Sequence, residues 1–177
     1  FGKILPRAGE IASRISVIYV ALTVACALAY TGLGVEPFDA IMHALTTIST
    51  GGFSNYDSSF GAFQGPLEYA GALFMILASL PFVRYIQLVA GTARPILLDR
   101  QIRAYFATIV LLTLAFALYR VAINGSGLEL SLREATFNVV SIISGTGYSS
   151  TNYQVWGAVA VPAFFFIGLI GGCAGST

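Results

Sequence analysis

Apolar residues run almost unbroken from position 15 to position 31, stop at Gly32-Leu33-Gly34-Val35-Glu36-Pro37, and resume at helical spacing as Phe38, Ile41, Met42, Leu45 and Ile48. With its flanks the first run reaches the roughly 20 residues that a helix needs to cross about 30 Å of hydrocarbon. The second, residues 38–49, has about 12, too few to span, and reads as a re-entrant helix. A helix that stops inside the membrane must be surrounded by protein or by a watery cavity, because lipid cannot satisfy its end groups. Polar, glycine-rich residues 55–65 then read as a solvent-facing loop. An apolar stretch over 67–90 reads as a second span, kinked near Pro81 with Arg84 at an interface. A charged linker over 91–103 leads to a third span over 104–123, with Tyr105 and Tyr119 as interfacial aromatics. The turn cluster Asn124-Gly125-Ser126-Gly127 precedes a second short helix over 130–144, and a fourth span beginning at 154 dissolves near 170 into a glycine run. The pattern predicts an all-α membrane protein.

Composition strengthens that reading. Apolar residues make up 56% of the 177 and charged ones 10%, whereas a soluble domain carries roughly a quarter charged residues. The net charge of +1 offers no basic surface for nucleic acid. Cys26 and Cys173 lie in apolar or glycine-rich surroundings at unrelated depths, which argues against both a disulfide and a metal site. No cleavable signal peptide is recognisable at the start, and the lack of an initiator methionine suggests a piece of a longer chain. Charge also orients the spans. Of the nine Lys and Arg residues, all but Arg120 and Arg133 fall in the N-terminal flank or the middle stretch from Arg84 to Arg103. The positive-inside bias assigns those segments to the cytoplasm. Glu36, Asp39, Asp57, Glu68, Glu129 and Glu134 gather on the opposite face, where an acidic vestibule would concentrate cations modestly.

One stretch occurs twice. Thr46-Thr47-Ile48-Ser49-Thr50-Gly51-Gly52-Phe53-Ser54 is echoed by Ser141-Ile142-Ile143-Ser144-Gly145-Thr146-Gly147-Tyr148-Ser149 at a constant offset of 95 positions. Asp39 matches Glu134, His43 matches Asn138, and Asp57 matches Asn152, so two copies of one structural unit are implied. Glycine accepts backbone angles that a Cβ forbids, so such a run can lie extended with successive carbonyls turned the same way. Rings of carbonyl oxygens can replace the water around a bare monovalent cation, as Thr-Val-Gly-Tyr-Gly loops do in potassium filters. Gly145-Thr146-Gly147-Tyr148-Ser149 resembles that signature, and Thr50-Gly51-Gly52-Phe53-Ser54 is a more degraded copy.

On these residues the chain resembles the Trk/Ktr/HKT superfamily of potassium transporters, its bacterial Trk membrane subunits above all. The terminal Gly171-Gly172-Cys173-Ala174-Gly175-Ser176-Thr177 is similar to the glycine-rich intramembrane loop in the last helix of that family's third repeat. The resemblance implies four helix–pore loop–helix repeats in the whole polypeptide, of which residues 1–95 would be the second and 96–177 most of the third. It implies that Thr50, Gly51, Gly52, Phe53, Gly145, Thr146, Gly147 and Tyr148 are filter residues holding potassium through backbone carbonyls. It implies a gate at Gly171, Gly172, Cys173, Ala174, Gly175 and Ser176. It also implies a multi-pass protein of the bacterial plasma membrane, surrounded by lipid and the remaining repeats, a homodimer, and a cytoplasmic nucleotide-binding regulatory ring of the TrkA type. Potassium would be the substrate, with no cofactor and no enzymatic reaction.

The remaining polar residues invite narrower readings. His43 suits a hydrogen-bonding post behind the filter better than a proton relay or a metal ligand, because Asn138, its mate, does neither job well. Asp39 and Glu134 sit where carboxylates would favour a pore-helix dipole. Arg120 and Arg133 could face the outer vestibule, pair with Glu129 or Glu134, or snorkel. Tyr153 and Trp156 read as a membrane belt. The glycine run could instead be a close-packing face. Two other functions are conceivable: a structural subunit that does not conduct, and an intramembrane serine hydrolase using Ser49 or Ser144 with His43. The single histidine, the absence of a Gly-x-Ser-Gly motif and the duplicated loop weigh against the second.

Overall fold

The computed structural model describes residues 4–91, 96, 98–169 and 171, and every described regular element is helical. They are α1 (Ile4–Gly32), α2 (Pro37–Ile48), α3 (Pro66–Ala78), α4 (Phe82–Val89), α5 (Arg100–Asn124), α6 (Leu128–Ile143) and α7 (Ala160–Gly168), with single 3-10 turns at Ser59–Ala62 and Tyr153–Trp156. Gly9–Gly32 and Arg100–Asn124 are long and apolar enough to cross a membrane. Pro37 stands in the first turn of α2, where its missing N–H leaves no helix bond unmade. Asp99 opens α5 by accepting the Gln101 N–H at 2.8 Å.

The architecture repeats. α1 packs on α2, α5 packs on α6, and α3 lies between, touching both short helices. At the α3–α6 crossing Gly71 has no room for a side chain, because a Cβ there would lie 2.9 Å from the Phe137 ring and 3.0 Å from that of Phe60. Bilayer lipid is as apolar as leucine, so close packing and polar ties must hold such helices together. Charged ties are present. Glu68, almost fully buried, caps its own helix through the Gly65 N–H at 3.1 Å and meets Arg133 of α6 at 3.0 Å. Arg133 also reaches Glu129 at 3.1 Å, and Arg84 holds Asp99 at 2.7 Å. The Gln101 N–H and the Arg84 guanidinium keep the Asp99 carboxyl below the usual carboxylate range.

Several expectations from the pattern need correction. The expected kink near Pro81 is present but is a full break: the run over 67–90 is two helices meeting at 88°, since Pro81 cannot continue a helix and the chain turns through Ser79 and Leu80. The segment over 55–65 is exposed at Asn55 to Ser58, Ala62 and Gln64, as a loop should be, but it is anchored by Phe60, which is 1% exposed and contacts Phe137, Tyr148 and Phe63. Tyr105 is buried rather than interfacial, its phenol 2.6 Å from Ser79 Oγ. The final helix begins at Ala160 instead of 154, because Gly157 takes a φ of 131° against the Tyr119 phenol and ends the preceding turn. Trp156 belongs to no membrane belt. It is buried against Phe116 and Phe164, with the Arg120 guanidinium 4.4 Å above its ring.

Candidate functional site: two pore loops side by side

Each short helix carries a hydroxyl residue in its last turn, Thr46 or Ser141, around which the chain then wraps. In the first copy the Gly52 N–H donates to the Thr46 carbonyl at 3.2 Å, and the Thr46 hydroxyl donates to the Phe53 carbonyl at 2.8 Å. In the second copy the Gly147 N–H donates to the Ser141 carbonyl at 3.1 Å, and the Ser141 hydroxyl donates to the Tyr148 carbonyl at 2.6 Å. These are the same two bonds moved by 95 positions. The backbone matches too. Thr50 and Gly145 have φ of 49° and 81°, and Gly52 and Gly147 have 66° and 86°. The carbonyls of Phe53 and Tyr148 are thus drawn back onto the pore helices.

The two strands lie against each other. A Cβ placed on Gly52 would fall 2.0 Å from the Thr146 carbonyl oxygen, whereas one on Gly147 would meet no atom within 4 Å. The loops are therefore at one level, as the repeat argument requires. Each pore helix directs its C-terminal end, carrying about half a negative charge, into this region. The arrangement suits a desolvated cation and has no chemistry to offer a covalent substrate.

The shell behind the strands is built from the matched polar pairs. His43 Nδ1 lies 2.7 Å from the Asp39 carbonyl, and its Nε2 lies 2.8 Å from Ser54 Oγ. Asn138 donates to the Glu134 carbonyl at 2.8 Å and to Ser150 Oγ at 3.0 Å. His43 is thus a hydrogen-bonding post, and it touches neither Ser49 nor Ser144. Ser144 Oγ instead meets Thr146 Oγ1 at 2.8 Å. The Asp39 carboxylate accepts from Asn55 at 2.9 Å and from the Tyr56 phenol, and those two bonds, Tyr56 first, hold it below the usual range. Glu134 departs from the expected dipole role. α6 starts at Leu128, so Glu134 lies beyond its first turn and pairs with Arg120 at 2.5 Å. The residues expected to form a gate, Gly172, Cys173, Ala174, Gly175 and Ser176, lie outside the described residues. Gly171, with a φ of 68°, follows the end of α7.

Sequence reasoning missed the crossing contacts. The Tyr148 phenol leaves its own repeat and reaches Thr46 Oγ1 at 2.5 Å and the His43 carbonyl at 3.1 Å. The Phe60 turn also crosses, with the Gly61 N–H donating to the Ser149 carbonyl at 3.0 Å. The available signal was an aromatic, Phe60, set in an otherwise polar, glycine-rich stretch.

Two re-entrant helices delivering paired glycine strands to one level, flanked by spanning helices, define a pore-loop membrane protein. Residues 2–177 match the family described as TrkH, cation transport protein, and the chain belongs to that family of transport proteins. It is 44% identical over 177 residues to the Trk system potassium uptake protein TrkI of Halomonas elongata, covering 99% of this chain and 36% of that one. It is 33% identical over 181 residues to TrkH of Escherichia coli K12, covering 99% and 37%. The crystal structure of the potassium transporter TrkH from Vibrio parahaemolyticus superimposes with a TM-score of 0.92 at 32% identity, over 99% of this chain and 39% of that one. The chain therefore spans a little over a third of the length of these relatives.

Proposed function

We propose that this segment contributes two of the strands of a selectivity filter through which potassium crosses the bacterial plasma membrane. The observation that carries the reading is the pair of identical wraps around Thr46 and Ser141, which brings Gly52 against Thr146. Backbone carbonyls of Thr50, Gly51 and Gly52 and of Gly145, Thr146 and Gly147 replace the water of the ion, with Phe53 and Tyr148 closing each strand. Residues 1–95 and 96–177 are then two successive repeats, and further repeats complete the ring. The names of the relatives support potassium as substrate. A homodimer and a cytoplasmic nucleotide-binding ring follow from the family resemblance.

The full-length transporter, reconstituted in vesicles, should take up potassium in preference to sodium. Gly147→Ser should lower that preference, because a side chain at a φ of 86° disturbs the carbonyl geometry without a steric block. Equal uptake of the two ions by the unmodified protein, or an unaltered preference in Gly147→Ser, would remove the filter assignment.

The gate reading rests on the short span of α7. Its 9 residues rise only about 14 Å at 1.5 Å each, less than half the hydrocarbon, before the helix is capped at Leu169. Non-helical backbone at that depth is tolerated when it lines a cavity. Deleting residues 172–175 should raise basal flux and leave selectivity intact. A well-folded deletion variant with unaltered flux would return the glycine run to a packing role.

A further inference from the structure

We propose that Thr46 is a positioning residue for selectivity, a clasp that sets the distance between the two filter strands. This inference rests on the filter reading and adds to it the side chains that hold one strand relative to the other. Its basis is the proton count along one chain of hydroxyls. The Tyr30 and Thr47 hydroxyls lie 3.0 Å apart, and Thr47 donates to the His43 carbonyl at 2.6 Å, so Tyr30 donates to Thr47. The Thr46 proton goes to the Phe53 carbonyl at 2.8 Å. The Tyr148 phenol then donates across the repeat boundary, its proton shared between the Thr46 oxygen and the His43 carbonyl at 3.1 Å. Each hydroxyl gives one proton and each is satisfied.

The result is an asymmetry within the repeat. Thr46 and Ser141 both hold the carbonyl that ends their own strand, but only Thr46 also takes a phenol from the other strand. The reciprocal bond cannot form, because the mate of Tyr148 is Phe53, which has no hydroxyl and is 76% exposed. The Tyr148 ring itself is 1% exposed and lies against Phe60 and His43. A rigid ring whose tip bonds chiefly to Thr46, with the His43 carbonyl as a second acceptor at 3.1 Å, acts as a spacer. Any outward drift of the second strand would have to break those bonds or push the packed Phe60 turn. A hydroxyl network in a low-dielectric site is stiffer than its separate bonds, and sub-ångström strand spacing is what distinguishes one bare cation from another under a size-based account.

The test measures potassium and sodium uptake by the reconstituted full-length transporter, as a ratio of kcat/KM values, with detergent melting temperature as a fold control. Thr46→Val keeps the shape and removes both bonds. It should lower the potassium preference about tenfold, the scale of one hydrogen bond. Thr46→Ser should restore the preference. Tyr148→Phe, which also gives up the bond to the His43 carbonyl, should lose part of it, and the double variant should cost less than the sum of the two single variants because they share the Thr46–Tyr148 bond. A merely structural role would shift the melting temperature while leaving the ratio alone, and that outcome overturns the proposal. If Thr46→Val does not reach the membrane, Tyr148→Phe carries the test: an unaltered ratio there overturns the clasp. Because Gly147→Ser probes the filter independently, its effect persists if the clasp is wrong and vanishes if the filter reading is wrong.

Discussion

Gly52→Ala is expected to abolish ion uptake, while Gly147→Ala leaves a working but less selective transporter. The two glycines occupy matched positions and matched left-handed backbone, so a rule based on conformation alone would treat them equally. A left-handed alanine costs about 1–2 kcal/mol at either position. The difference lies in what a methyl group would touch. At Gly52 it would fall 2.0 Å from the Thr146 carbonyl oxygen, a backbone atom of the other strand, and 2.9 Å from the carbon of the same carbonyl. That atom cannot yield without displacing the second strand, whose other side is tied to Ser141. In a preorganised site a misplacement of about 1 Å costs roughly a hundredfold, so uptake should fall by at least that order. The rate of potassium entry into vesicles, normalised to folded transporter, checks it. Wild-type entry by Gly52→Ala would mean that the strands do not adjoin in the working protein.

Arg120→Met should destabilise the fold severely, and the companion change Glu134→Gln should recover most of the loss. Arg120 and Glu134 join the third span to the second pore helix with side chains only 8% and 12% exposed. Their contact is one of opposite charges more than an aligned hydrogen bond, since neither contacting atom, Arg120 Nη1 nor Glu134 Oε2, has a hydrogen-bond partner among the described residues. Removing one partner of a buried pair costs about 3–5 kcal/mol, because the remaining charge has no solvent. Removing both leaves a neutral interface, although the cation–π contact of Arg120 with Trp156 is then also lost, a further cost of about 0.5–2 kcal/mol. Detergent melting temperatures of the two single variants and the double variant decide the matter. A single variant as stable as the parent would show that water reaches the pair.

Much of this protein was legible in the order of its residues. Hydrophobic runs long enough to span, short ones that are not, and a 95-residue echo through Gly52 and Gly147 specify pore-loop repeats, because each feature depends on local length and backbone freedom. The same is true of His43 as a post, inferred from its asparagine mate. Other features required the folded chain. Pro81 announced a break in the run over 67–90, but its right angle depends on how α4 docks on α1, and periodicity does not report the size of a bend. Phe60 looked solvated amid serines and glycines, and its burial follows from the space that α3, α6 and Tyr148 leave between them. Trp156 and Tyr105 looked like interfacial aromatics until partners for their rings appeared. The pairing of Arg120 with Glu134 was one of several open choices that helix packing decided. Whether a glycine tolerates a side chain is the sharpest case: the repeat makes Gly52 and Gly147 equivalent, and only the proximity of the other strand makes them different.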